Sequence, residues 1–141
     1  EDTKSCLDRI GVTAEQQSVV FGLVAGVLHL GNVEFQTEGE DDVKVTAASS
    51  PSLGKACSLL GLSADDVTLA VTKRKIVMND ATVYKPQSVT QAVDKRDALA
   101  KLVYESLFLW LVKQLNKTIS AAPDSGTEDE GSPRAAPGEV V

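Results

Sequence analysis

The chain has 141 residues, 43% apolar and 24% charged, which suits one modest soluble domain and excludes a wholly disordered chain. Its net charge of −6 argues against nucleic acid or an anionic membrane as a partner, since both are held by basic surfaces. No stretch reaches the about 20 consecutive apolar residues that a membrane-spanning helix needs. Aromatic residues make up only 4%, so a core must rest on Leu, Val and Ala. Cys6 and Cys57 match no metal or redox spacing, and the opening EDTKSC has no basic-then-apolar leader. These features describe a reduced, intracellular, soluble chain.

Taken in chain order, Thr13 and Gln16 have capping-box spacing and open a helix over 14–30, with Val19, Val20, Leu23, Val24, Val27 and Leu28 at helical spacing. Gly31-Asn32 releases it. Val33-Glu34-Phe35 alternates as a short strand, Glu38 to Asp42 forms an acidic solvated turn, and Val43 to Thr46 supplies a partner strand. Ser49-Ser50-Pro51 opens a second helix that runs to Leu60 and stops at Gly61, with Pro51 in its first turn. Ser63 and Asp66 cap a third, short helix to Thr72. Lys73 to Met78 and Thr82 to Lys85 then read as a hairpin around Asn79-Asp80. Ser88 and Gln91 cap a last helix over 89–119, about 45 Å long at the usual rise.

That last helix is the anomaly. Leu99, Leu102, Val103, Tyr104 and the run Leu107 to Val112 point in nearly every direction around it. A helix that is apolar all round belongs inside a larger protein, and the remaining elements are too few to surround it. Residues 120–141 change character: rich in Pro, Gly, Ser and acid, they read as a disordered insertion or linker.

No catalytic or metal constellation can be assembled. His29, the single histidine, sits between two leucines and reads as a packed residue. Gly54-Lys55 looks like the end of a phosphate-binding loop, but Ser49 stands where that loop needs glycine and Ala56 replaces the magnesium-binding hydroxyl. The pair also falls within an expected helix. The basic run Lys73-Arg74-Lys75 is either a solvated strand end or the positive root of a loop that meets an acidic partner.

Two stretches carry a family resemblance. "VFGLVAGVLHLGNVEF" (20–35) resembles the apolar helix of the myosin motor domain that ends in L-G-N-x-x-F. "RDALAKLVYESLFLWLVKQLN" (96–116) resembles that family's D-A-L-A-K-x-x-Y-x-x-L-F-x-W-L-V-x-x-x-N helix. Their order and spacing fit, and the likeness covers residues 1–119. It implies a mainly α fold with a small β-hairpin, a partial motor domain from the upper 50-kDa region of the myosin motor, itself an α/β nucleotide-hydrolase fold. The long helix would be buried against other parts of the motor. Glu139-Val140-Val141 would begin the strand that carries the second switch loop.

The resemblance implies an actin-based, ATP-driven cytoskeletal motor, cytoplasmic, with Mg-ATP as the nucleotide of the whole motor and calmodulin-like light chains on a neck outside this sequence. The family's phosphate loop and both switch motifs are missing from these 141 residues, so this chain alone is expected neither to bind nor to hydrolyse ATP. What the resemblance does place here is the actin-contacting hairpin: Lys73, Arg74, Lys75 and Lys85 as electrostatic contacts, with Ile76, Val77 and Met78 as apolar ones. The family's regulatory loop position, sixteen residues before Asp97, falls on Ala81, which is neither acidic nor phosphorylatable, with Thr82 one place away. The other readings are a non-catalytic partner-binding module and a helical adaptor. The adaptor lacks sustained heptads.

Overall fold

The computed structural model describes residues 2–121. Ser120 and Ala121, expected to open the linker, instead continue the last helix, which runs on to Ala121 and not only to residue 119. The rest of that stretch, from residue 122 on, and the strand expected at 139–141 lie outside the described residues. Among the described residues, five helices and two separate antiparallel hairpins follow one another: α1 (Thr3–Arg9), α2 (Ala14–Gly31), β1 (Phe35–Glu38), β2 (Asp42–Val45), α3 (Ser50–Leu60), α4 (Ala64–Thr72), β3 (Lys73–Met78), β4 (Ala81–Pro86) and α5 (Val89–Ala121).

The caps form as their side chains dictate. The Gln16 amide donates to Thr13 Oγ1 (3.3 Å) and the Thr13 amide to Gln16 Oε1 (3.0 Å), a reciprocal box at the start of α2. Ser88 and Gln91 do the same for α5 at 3.2 and 3.0 Å. Gly61 ends α3 with φ +69°, a left-handed conformation that glycine adopts without strain.

Four further sequence expectations need correction. Residues 3–9 form α1, which the pattern did not suggest: Asp2 Oδ1 accepts from the Ser5 amide at 2.8 Å, but only Leu7 is buried, so there is almost no periodicity to read. The first strand begins at Phe35, not Val33. Val33 is buried in the core, and the Glu34 amide is held by Ser49 Oγ at 2.9 Å, outside any ladder. The acidic turn shortens to 39–41 because Glu38 pairs with Asp42, which moves the second strand to Asp42–Val45. The second hairpin gains a pair at each end, Met78 with Ala81 and Lys73 with Pro86.

The core is small. Leu30 and Val33 from the end of α2 meet Leu53, Ala56 and Cys57 of α3 and Val67 and Val71 of α4, with Leu99 and Ala100 of α5 packed against them. Burial raises the Cys57 thiol above its ordinary pKa. The helices α2 and α3 approach closely at Gly26. A Cβ there would lie 2.8 Å from Leu60 Cδ2 and 2.9 Å from its Cγ. Two further ties hold the long helix. Arg96 donates to the Val33 carbonyl at 2.6 Å, and Thr118 Oγ1 donates to the Ile10 carbonyl at 2.7 Å.

Of α5 itself only Ala92 and Leu107 are buried. Leu102 is 60% exposed, Phe108 57%, Leu109 53% and Ile119 63%. The described residues leave much of the last helix uncovered, as its apolar sequence leads one to expect.

The α2–α3 contact generates a prediction. Gly26→Val adds a Cβ and two methyl groups where Leu60 already stands, and overpacking of this kind costs about 1–3 kcal/mol. The expected outcome is a lower denaturation midpoint with an unchanged slope. A midpoint at or above that of the parent sequence would show that Leu60 can swing away freely.

Candidate functional site

The β3–β4 hairpin follows α4 without a break and turns at Asn79 (φ +46°) and Asp80 (φ +64°). Two consecutive left-handed residues make the primed type of turn, whose twist matches that of paired strands. The register sets Lys73 opposite Pro86, Arg74 opposite Lys85, Lys75 opposite Tyr84, Ile76 opposite Val83, Val77 opposite Thr82 and Met78 opposite Ala81. Because side chains alternate across a strand, the expected contact residues divide between two faces. One face carries Arg74, Lys85, Ile76 and Met78, with Ala81 and Val83. The other carries Lys73, Lys75 and Val77, with Thr82 and Tyr84.

The four cations are not equivalent. Lys73 Nζ lies 2.9 Å from Asp42 Oδ1 and its side chain is only 29% exposed. It is thereby tied to the first hairpin. The Lys73 carbonyl also accepts from Lys95 Nζ at 3.1 Å, and the same ammonium takes the Ala70 carbonyl at 2.9 Å, closing the end of α4. Arg74, Lys75 and Lys85 are exposed, and among the described residues no carboxylate lies within ion-pair distance of them. Arg74 and Lys85 stand directly opposite each other, a like-charge pair that weakens a sheet. Beside them Val77 is 66% and Met78 63% exposed. The result is a projecting ribbon, positively charged and partly apolar, suited to an acidic surface with hydrophobic spots.

Sequence reasoning did not single out Val83 and Tyr84, which are 45% and 46% exposed and extend the same faces. The signal was available. A two-residue turn at Asn79-Asp80 forces Ile76 opposite Val83 and Lys75 opposite Tyr84.

Asp42 has its carboxyl held below the ordinary 3.8, first by the Lys73 ammonium and then by the Val43 amide. A depressed folded-state pKa means that the ion pair contributes fully above the unfolded value and is lost as pH falls through the lower folded value.

A second surface lies between α2 and α5. A groove of about 780 Å³ is lined by Val19, Val20, Leu23, Leu60, Leu99 and Trp110, among others. Gly54 and Lys55 lie inside α3, where the backbone is helical, so they form no phosphate cradle. Among the described residues no group of three or more His, Cys, Asp or Glu side chains is placed to hold a metal.

The myosin head (motor domain) family model matches residues 1–128. The chain is 39% identical over 117 residues to Myosin-3 of Arabidopsis thaliana, a match that covers 83% of the chain and 10% of that protein. It is 37% identical over 119 residues to unconventional myosin-Vb of Mus musculus, covering 84% of the chain and 6% of that protein. With unconventional myosin IC of Drosophila melanogaster it shares 41% identity over 121 residues, 86% of the chain and 11% of that protein. The chain thus spans about a tenth or less of the length of these relatives.

The like-charge pair yields a direct test of the hairpin register. Arg74→Glu places a carboxylate opposite Lys85 and is expected to stabilise the hairpin by roughly 0.2–1 kcal/mol. The readout is slower hydrogen exchange at the β3–β4 amides. Faster exchange would contradict the register.

Proposed function

This chain belongs to the myosin head (motor domain) family, and from that premise we propose that it serves an ATP-driven motor on actin filaments, supplying part of the filament-binding cleft and a central helix. One observation carries the reading: the β3–β4 hairpin presents Arg74, Lys75 and Lys85 without carboxylate partners among the described residues, beside exposed Val77 and Met78. An actin filament has an acidic surface and fits such a ribbon. Rim charges of this kind set association rate and salt dependence more than they set packing.

The apolar groove and the exposed side of α5 are the natural seat of other elements of the motor. Mg-ATP chemistry belongs to the parent protein. The described residues do not fit a triphosphate or its metal, because Gly54-Lys55 is helical and no group of carboxylates among them is placed to hold a metal. No step of hydrolysis is assigned to this chain. Its place in the cycle is to couple filament contact to the rest of the motor, in the cytoplasm at the cytoskeleton.

Loop phosphorylation has no acceptor at the family's regulatory position. Ala81 is adjacent to the turn, on the face of Arg74 and Lys85, and carries no hydroxyl. Thr82 faces the opposite side by strand alternation, so phosphate there would meet Lys75 rather than the Arg74–Lys85 pair.

In the full-length parent, Arg74→Ala, Lys75→Ala and Lys85→Ala together are expected to weaken co-sedimentation with actin about tenfold at low salt, and to flatten the dependence of affinity on salt. Wild-type affinity with an unchanged salt slope would remove the hairpin from the filament interface.

A further inference from the structure

The hairpin that carries the free cations has little support of its own. All six residues of β4 are exposed, and Arg74 and Lys85 repel each other across the ladder. Its direction must be set at its root. The backbone of the root is fixed at two points: the Gln87 amide donates to the Thr72 carbonyl at 3.2 Å, and Lys95 Nζ donates to the Lys73 carbonyl at 3.1 Å. Neither of these two ties reaches the β1–β2 hairpin. A crevice of about 550 Å³ lies between the two, lined by Asp41, Asp42, Lys85 and Pro86, among others. The Lys73–Asp42 ion pair bridges from one hairpin to the other, 31 residues apart in sequence. Asp42 is itself oriented, because its Oδ1 also accepts from the Val43 amide at 3.0 Å.

We propose that Asp42 is a positioning residue for filament binding: its carboxylate latches Lys73 at the root of the β3–β4 hairpin and so fixes the angle at which Arg74, Lys75 and Lys85 are presented. This rests on the reading of the hairpin as the filament contact. Lys73 then acts through the latch and is not itself a contact cation, although it belongs to the same basic run.

The two roles predict opposite signs. If charge alone mattered, Asp42→Asn would free a cation and tighten binding to an acidic filament, while Lys73→Met would loosen it. If the latch matters, both variants loosen it by about two- to fivefold, the range of an exposed ion pair, and the double variant is no worse than either single one. The charge-swapped pair, Asp42→Lys with Lys73→Asp, keeps the net charge and remakes the latch, and is expected to bind within twofold of wild type.

The experiment is actin co-sedimentation of the full-length parent carrying each variant. It is paired with hydrogen exchange of the hairpin amides without filaments, where both single variants should exchange faster and the swap should not. Tighter binding by Asp42→Asn, additive losses in the double variant, or unchanged exchange in both singles would each overturn the latch. The triple variant of Arg74, Lys75 and Lys85 separates this from failure of the underlying reading. If the triple variant binds normally, the hairpin is not the contact, while the exchange data still decide whether the latch exists.

Discussion

The carbonyl of Val33 is the point on which the arrangement depends. It leaves α2 just beyond the helix end, where Asn32 has turned the chain, and it receives the Arg96 guanidinium at 2.6 Å. Asp97 Oδ1 takes the other side of that guanidinium, from Nη2 at 2.7 Å and Nε at 2.9 Å. The Arg96 side chain is only 15% exposed, so its charge is partly withdrawn from water and needs both partners. This junction joins the two sequence stretches that carry the family likeness. It lies next to Leu30 and Val33, the two most completely buried large side chains. Once α5 is anchored there, Leu99 and Ala100 fall against the core, α4 is closed by Lys95, and the second hairpin hangs from their shared end. Removing the contact would leave the carbonyl of the buried Val33 without the guanidinium, which costs more than one average hydrogen bond contributes.

How much of this was legible depended on whether the cause was local. Caps were legible, because Thr13, Ser63 and Ser88 bond to amides three residues on, and the partner is visible in the same few letters. The Asn79-Asp80 turn was legible for the same reason. Strand ends were not, since they depend on partners. Whether Val33 or Phe35 begins a strand is decided by Ser49, whose hydroxyl accepts from the Glu34 amide and reaches the Glu34 carbonyl at 3.1 Å. Helix α1 escaped notice because it buries one side chain and is held from outside, by Gln17 donating to Asp8 and to the Val12 carbonyl. The role of Lys73 was the hardest to see. In sequence it is one of three consecutive basic residues, and only the fold brings Asp42 beside it.

The hairpin shows a local choice that disagrees with local stability. A ladder would be better served by opposite charges at the Arg74–Lys85 pair, yet the chain places two cations there and leaves β4 exposed along its whole length. Sequences generally agree with their fold at every level, and departures concentrate where something other than folding is being served. The like-charge pair weakens the ribbon and concentrates positive field on one face. An acidic partner that neutralises both cations would relieve the repulsion and recover that cost on binding. On the proposed filament contact, the pair would make hairpin order and partner binding interdependent, which suits a contact that must form and release.

The long helix makes the complementary argument. One side of α5, with Ala92, Leu99, Val103, Leu107 and Trp110, is turned toward α2 and the core. Tyr104, Phe108, Val112, Leu115 and Ile119 recur at intervals of four, four, three and four on a different side, and each is exposed. A spacing of three and four is the period at which a helix presents a single stripe. A soluble helix with one buried stripe has no use for a second, since each half-exposed leucine or phenylalanine forfeits part of the about 1.5–3 kcal/mol that full burial would contribute. The second stripe makes physical sense only if it is covered. The family match supplies the setting, because relatives of this chain extend it about tenfold or more in length. The two surfaces of the chain thus divide the work by chemistry: the apolar stripe suits permanent burial within a larger motor, and the charged ribbon suits a partner that comes and goes.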